Sequence, residues 1–289
     1  MANTSAPFGF RQWSGTGSVP TYEQTVAYIA YNNTQAVFYG DPIVQATGTT
    51  GLGTGYIAQA AAPQSLTVSG IVVTNGVAVA TFSTTTAPPV GATLVLTGTS
   101  FATGGGLNGT FLITASTTTT ATFNVTGAYS STLTGPTTAI VYTPVAGVFI
   151  GCRYLSVSQK RTTWSNYWPG SDVASGNAVE AYVINDPNAQ FQVQSGNGGP
   201  VTFASVGNNI GFGVGGTNGN TANGISTFYA DYSTIGNNPA LPFRIVGLSG
   251  YTPYGVNPLT GQNGYDTTTA YNDLIVAFNN AATKSLAGI

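Results

Sequence analysis

Eight carboxylates carry nearly all the acid–base chemistry open to this chain: Glu23, Asp41, Asp172, Glu180, Asp186, Asp231, Asp266 and Asp273. Two of them at a suitable separation could hydrolyse a glycosidic bond, one as acid and the other as base or nucleophile. Their spacing singles out no pair, and Asp41-Pro42 and Asp186-Pro187 read as turn dipeptides. Histidine is absent, which removes Ser-His-Asp, Cys-His and histidine-metal sites. Cys152 is the single cysteine, so neither an intrachain disulfide nor a thiolate cluster for zinc is available. A reactive thiol needs a cation close to it. Arg153 is adjacent, but neighbouring side chains in a strand point to opposite faces, so Cys152 reads as a small buried residue.

Three weaker motifs need a structural context that the sequence does not supply. Gly211-Phe212-Gly213-Val214-Gly215-Gly216 matches G-x-G-x-x-G, with Asp231 where a ribose-binding acid would stand. A dinucleotide fingerprint opens a helix, and Thr217-Asn218-Gly219-Asn220 cannot. Asn218, Asn220 and Asn223 offer oxygens to calcium, without an acid in that loop. Lys160-Arg161 lies near Trp164, Tyr167 and Trp168. That grouping could stack a base, but reads better as a solvated loop beside packed aromatics. The expectation is a chain with no catalytic residues, no metal ligands and no cofactor.

Composition points the same way. The chain is 5% charged and carries no charge at all through the 111 residues between Asp41 and Arg153, whereas about a quarter of a typical globular chain is charged. Hydrophobic residues still make up 42%, enough for real cores. Six basic residues and a net charge of −2 cannot build a phosphate-binding groove, so nucleic acid is not an expected partner. No apolar run reaches the length of a membrane helix, and no membrane association is expected. The N-terminus shows no basic stretch followed by an apolar one, hence no secretory signal. The sequons at Asn32, Asn108 and Asn124 are then expected to be accidental in a chain so rich in Asn and Thr.

The elements that must position any site are strands. Residues 63–143 contain 23 Thr and no charge, with Pro63 and Pro144 at the borders. Gly76–Phe82, Ala92–Thr97, Gly109–Thr114 and Ala121–Thr126 are β-branched or alternating runs separated by turn residues. They predict a small antiparallel, Ig-like sandwich or barrel. Outside this block, Gly147–Tyr154, Gln190–Gln194 and Pro242–Leu248 read as strands. Thr25–Tyr31 and Tyr271–Asn279 fit a helical turn or a strand, with strand favoured by the β-like surroundings. Asn208–Asn223 is Gly/Asn-rich and suggests turns or a loop. The prediction is all-β: an extended arm at 1–20, a sandwich or barrel from 21–62 and 144–289, and a Thr-rich β domain inserted at 63–143.

Ala6-Pro7-Phe8-Gly9-Phe10-Arg11, Phe38-Tyr39-Gly40-Asp41-Pro42, Gly147–Tyr154, Tyr167-Trp168-Pro169 and Asp186-Pro187 before Phe191-Gln192-Val193 form an ordered series. Together they resemble a family of tailed-bacteriophage proteins that decorate and cement the virion head. The likeness covers both flanks in order, while the 63–143 block resembles a separate β module found in phage structural proteins. The resemblance implies a non-enzymatic protein on the outer capsid surface, bound to the major capsid protein and assembled as a homotrimer.

The composition is compatible with that role. Obligate interfaces are large and depleted in charge, and a chain with net charge near zero tends to associate. The Gly/Ser/Thr-rich segment before Tyr22 carries Phe8, Phe10, Arg11 and Trp13, residue types that dominate interface energetics. These four are the expected partner-binding residues. A rival reading is a tail-fibre or adhesin component that binds a host glycan through the insert. Few aromatics are available there to stack on sugar: Phe82, Phe101, Phe111, Phe123, Tyr129 and Tyr142.

Overall fold

The computed structural model describes residues 3–14, 24–48, 51–84, 87–99, 106–126, 137–249 and 267–284. The protein is all-β, with nineteen strands and two short 3-10 turns among those residues. Two compact units divide it: one from 1–45, 55–62 and 145–288, the other from 46–54 and 63–144.

In the first unit, five strands close on themselves. They are β15 (Gln190–Gly196), β16 (Asn209–Asn220), β17 (Ile225–Gly236), β18 (Phe243–Leu248) and β19 (Asp273–Phe278). β15 runs antiparallel to β19 over Gln190–Gln194, then meets β17 in parallel at Ser195 and Gly196. β17 pairs β16, β16 pairs β18 and β18 pairs β19, completing the circuit. The period-2 alternation turns Phe191 and Val193 inward, where they join Phe212, Phe228, Phe243, Ile245, Val276 and Phe278. β1 (Arg11–Ser14) extends this sheet through the pairs Arg11–Gln192 and Gln12–Phe191.

Residues 209–220 form a strand, which corrects the loop expected for Asn208–Asn223; only 221–224 turn. Two of its glycines are seats for rings on neighbouring elements. A Cβ at Gly213 would lie 2.4 Å from Cζ of Tyr229, and one at Gly219 would lie 2.2 Å from Cγ of Phe38. Glycine here permits close approach within a sheet and does not mark a reversal of the chain.

A second sheet has the order β2 (Thr25–Ile29), β14 (Val179–Ile184), β12 (Gly147–Leu155), β3 (Pro42–Gly48) and β4 (Gly51–Gln59). β13 (Thr162–Ser165) also pairs with β12. Both ambiguous segments are therefore strands, as β2 and β19. Val148 and Ile184 join the barrel core from one face of the sheet. From the other face Phe149, Cys152, Tyr154, Val179, Ala181 and Val183 pack with Ile29, Val37 and Trp168. A register shift between Phe149 and Gly151 lets Phe149 and Cys152 share a face despite their spacing of three.

The second unit has seven strands: β5 (Gln64–Val68), β6 (Gly70–Thr74), β7 (Val77–Thr81), β8 (Thr93–Thr97), β9 (Gly109–Ser116), β10 (Thr120–Asn124) and β11 (Thr137–Tyr142). Their order is β5-β11-β8-β9-β10-β7-β6. β5 and β6 are one strand bent at Ser69, whose N–H donates to the Thr81 carbonyl at 2.8 Å. The first half pairs β11 and the second pairs β7, so the sheet curls back on itself. Leu66, Ile71, Ala80, Leu94, Leu96, Ile113, Phe123 and Val141 fill the interior. Thr67, Thr138 and Thr97 stand side by side on three adjacent strands and are exposed. Threonine thus keeps an outer face wet without charge, while its β-branched side chain suits the pleat.

Candidate interaction surfaces

The N-terminal residues lie along their own barrel. Ala6 N–H donates to Oε1 of Gln194 at 2.8 Å, and Nε2 of Gln194 donates to the Thr4 carbonyl at 3.3 Å. Gly9 N–H donates to Phe228 O at 3.1 Å, and Phe10 N–H to Gly40 O at 2.8 Å. Phe10 is buried and stacked on Phe243, with ring centroids 4.3 Å apart and planes at 17°. This corrects one of the four residues expected to bind a partner: Phe10 is a core residue of its own chain. The other three remain on or near the surface. The Arg11 guanidinium sits 4.8 Å from the centre of the Phe8 ring, and Trp13 is 49% exposed. Arg11 and Trp13 are both exposed, Arg11 directly across from Gln192, and the β1–β15 register shifts at Trp13, between Gln12 and Ser14. β1 is the terminal strand of its sheet, paired only with β15 among the described residues.

A second surface was not legible in the sequence. Where the β2–β14–β12–β13 sheet extends past the barrel, the face that carries Val148 and Ile184 is open. Register places Trp164 beside Arg153, Arg153 beside Glu180, and Glu180 beside Tyr28. One step along, Gly151 lies beside Tyr182, and Tyr182 beside Val26. Trp164, Tyr28, Val26 and Leu155 are among the most exposed large apolar side chains in the structure. The Trp164 and Tyr182 rings lie 5.5 Å apart at 46°. Arg153 makes an ion pair with Glu180, Nη2 to Oε2 at 2.7 Å and Nε to the same oxygen at 2.8 Å.

The three aromatics that follow Lys160-Arg161 therefore separate. Trp164 faces outward, Tyr167 stacks on Phe38 at 5.5 Å and 4°, and Trp168 is fully buried. Lys160 and Arg161 are both exposed, and Arg161 Nε donates to Oε1 of Gln159 at 3.2 Å. No stack of rings forms beside the basic pair.

The described carboxylates are each held by their own surroundings. Asp172 accepts from the hydroxyls of Ser156 and Ser158 at 2.6 and 2.9 Å and from Ser158 N–H at 2.7 Å. The Ser156 hydroxyl, more than any other group, holds its carboxyl below the usual range. Asp231 accepts from Asn197 and Ser233, and Asp186 from the N–H of Asn188. Burial pushes Asp273 up, offset by the Gln192 amide and by Arg11. Asp41 is fully buried and receives Phe38 N–H at 2.7 Å and Gln59 Nε2 at 2.6 Å, both on Oδ2. Glu23 and Asp266 lie outside the described residues. Among the described residues no three acids, cysteines or histidines cluster to hold a metal.

Cys152 donates to the Tyr167 carbonyl at 3.4 Å, and burial pushes its thiol up to about 12. Iodoacetamide should leave it unmodified in the folded protein and alkylate it in denaturant. Mass spectrometry under both conditions reads the difference, and rapid labelling of the native state would refute the burial argument.

In the second unit Phe82, Phe123 and Tyr142 are buried and Phe111 packs against the core. Phe101 and Tyr129 lie outside the described residues. No family model, no curated protein and no solved structure matches this chain.

Proposed function

We propose that this chain is a structural, non-enzymatic virion protein that decorates the outer surface of a tailed-phage capsid. It binds between major capsid protein subunits and acts as a homotrimer. The flank motifs that resemble decoration proteins support this reading, and so does the scarcity of charge. The observation that carries it is the terminal strand β1, with Arg11 and Trp13 both exposed along it and Phe8 against Arg11. A strand that ends its sheet among the described residues and bears Trp and Arg suits strand addition by a partner, with the side chains supplying affinity.

Because Phe10 is a core residue, removing the whole segment would confound folding with binding. The informative variant is Phe8→Ala/Arg11→Ala/Trp13→Ala, which leaves Phe10 in place. Its co-sedimentation with empty expanded capsids should weaken at least tenfold, while its thermal unfolding stays within a few degrees of the parent. Undiminished binding by a folded triple variant would sink the docking role of β1. Sedimentation equilibrium of the parent protein tests the trimer.

A further inference from the structure

We infer that the open half-face of the β2–β14–β12–β13 sheet is a binding platform for a neutral, β-linked, gluco-configured oligosaccharide. This surface is distinct from β1, and the inference rests on no part of the decoration reading.

The backbone builds the platform. At the register shift, Gly151 takes φ +154°, a conformation that side-chain-bearing residues avoid. A Cβ there would lie 2.0 Å from Cη2 and 2.4 Å from Cζ3 of Trp164. The six-membered ring of the indole thus occupies the space that a side chain at 151 would fill. Trp164 is nonetheless 57% exposed. A ring seated on glycine and open to solvent is held ready to stack on a ligand. Tyr182 stands beside it, and Tyr28 is exposed two strands beyond Arg153.

Charge selects the occupant. The row Trp164–Arg153–Glu180–Tyr28 has one positive and one negative group in direct contact, so it offers no net field to phosphate or to an acidic sugar. The pair sits between aromatic residues, with side chains 52% and 33% exposed. An apolar protein partner would have to strip water from both ions, a penalty that often exceeds the attraction between them. Sugar hydroxyls can replace that water, accepting from Arg153 and donating to Glu180. Four adjacent strands span about 14 Å, on the scale of a short oligosaccharide. Gluco-configured pyranoses keep their hydroxyls equatorial and present axial C–H groups to a ring on either side. This matches Trp164 and Tyr28 at the two ends of a polar centre.

The test is calorimetric titration of the full-length protein with cellohexaose and with chitohexaose, backed by an array of neutral and acidic glycans. Saturable binding to at least one neutral β-linked hexaose is expected. Trp164→Ala should weaken it tenfold or more and Tyr28→Ala severalfold, with unfolding temperatures close to the parent because both side chains are exposed. The Phe8/Arg11/Trp13 triple variant should bind the sugar as the parent does, which separates this site from capsid docking. Three outcomes would overturn the inference: no neutral glycan binds, only acidic glycans bind, or Trp164→Ala binds unchanged. Loss of capsid co-sedimentation by Trp164→Ala, without any sugar binding by the parent, would identify the face as a protein interface and equally overturn it.

Discussion

Phe10→Ala should destabilise the barrel unit by about 3–5 kcal/mol, the usual cost of emptying a buried aromatic site. Phe10 enters the core from outside the closed circuit of strands. It stacks on Phe243, which also packs against Phe212 and Phe278. Its own N–H is tied to Gly40 and its neighbour's to Phe228, so backbone bonds pin the segment on either side of the ring. Truncation removes the ring while those bonds hold the chain in place, which limits collapse around the cavity. For a unit of this size each kcal/mol is worth about 2–4 °C, so the unfolding temperature should fall by roughly 6–20 °C. Phe8→Ala, at a half-buried ring, should cost about 1 kcal/mol or less. Differential scanning calorimetry separates the two. Equal small shifts would mean that Phe10 is not the anchor, and that residues 3–14 leave the barrel readily.

The burial of Phe10 runs against the sequence-based expectation for a physical reason. The Gly/Ser/Thr-rich segment does run extended, as its composition suggests, because that preference is local. Burial of Phe10 depends on Phe243, Phe228 and Gly40, distant in the chain, and no local pattern carries it. The strands of the Thr-rich unit were legible for the opposite reason. In Ala121-Thr122-Phe123-Asn124 the alternation itself states which residues face inward, and Ala121 and Phe123 are fully buried. Gly213 and Gly219 look like turn signals until Tyr229 and Phe38 are found in the space they leave. The open aromatic face lay beyond reach because it is a product of register. Val26 and Tyr28 alternate with Ala27 and Ile29, and Glu180 and Tyr182 alternate with Val179, Ala181 and Val183, which marks two strands with an outward aromatic row. Only cross-strand pairing shows that the rows adjoin and that a shift near Gly151 seats Trp164 beside them.

Asp41→Asn should remove a pH dependence of stability that the parent shows between about pH 4 and about pH 7. Asp41 has no exposed surface, and burial raises its carboxyl to about 7 against the partial offsets of the Phe38 N–H, the Ser226 hydroxyl and the Gln59 amide. Oδ2 takes two hydrogen bonds, whereas Oδ1 accepts none of ordinary geometry. An oxygen so placed suits a proton better than a charge. The sign follows from proton counting. Between the two pKa values the folded state holds a proton that the unfolded state has released, so folding is most favoured below about pH 4 as far as this group is concerned. That advantage is lost as pH rises to about 7 and then levels off. A shift of roughly 3 units sets an upper bound of about 4 kcal/mol. The asparagine side chain would keep an acceptor for Phe38 and Gln59 but could not ionise. Other carboxylates impose their own slopes: Asp172 is held low and loses stability in acid, while Asp273 is held high. The quantity to measure is therefore the difference between the parent and Asp41→Asn in urea unfolding across this range. The variant should gain on the parent as pH rises, by roughly one to a few kcal/mol. Parallel curves would show that Asp41 stays ionised in the folded protein, with water or a rearranged Ser226 serving Oδ1.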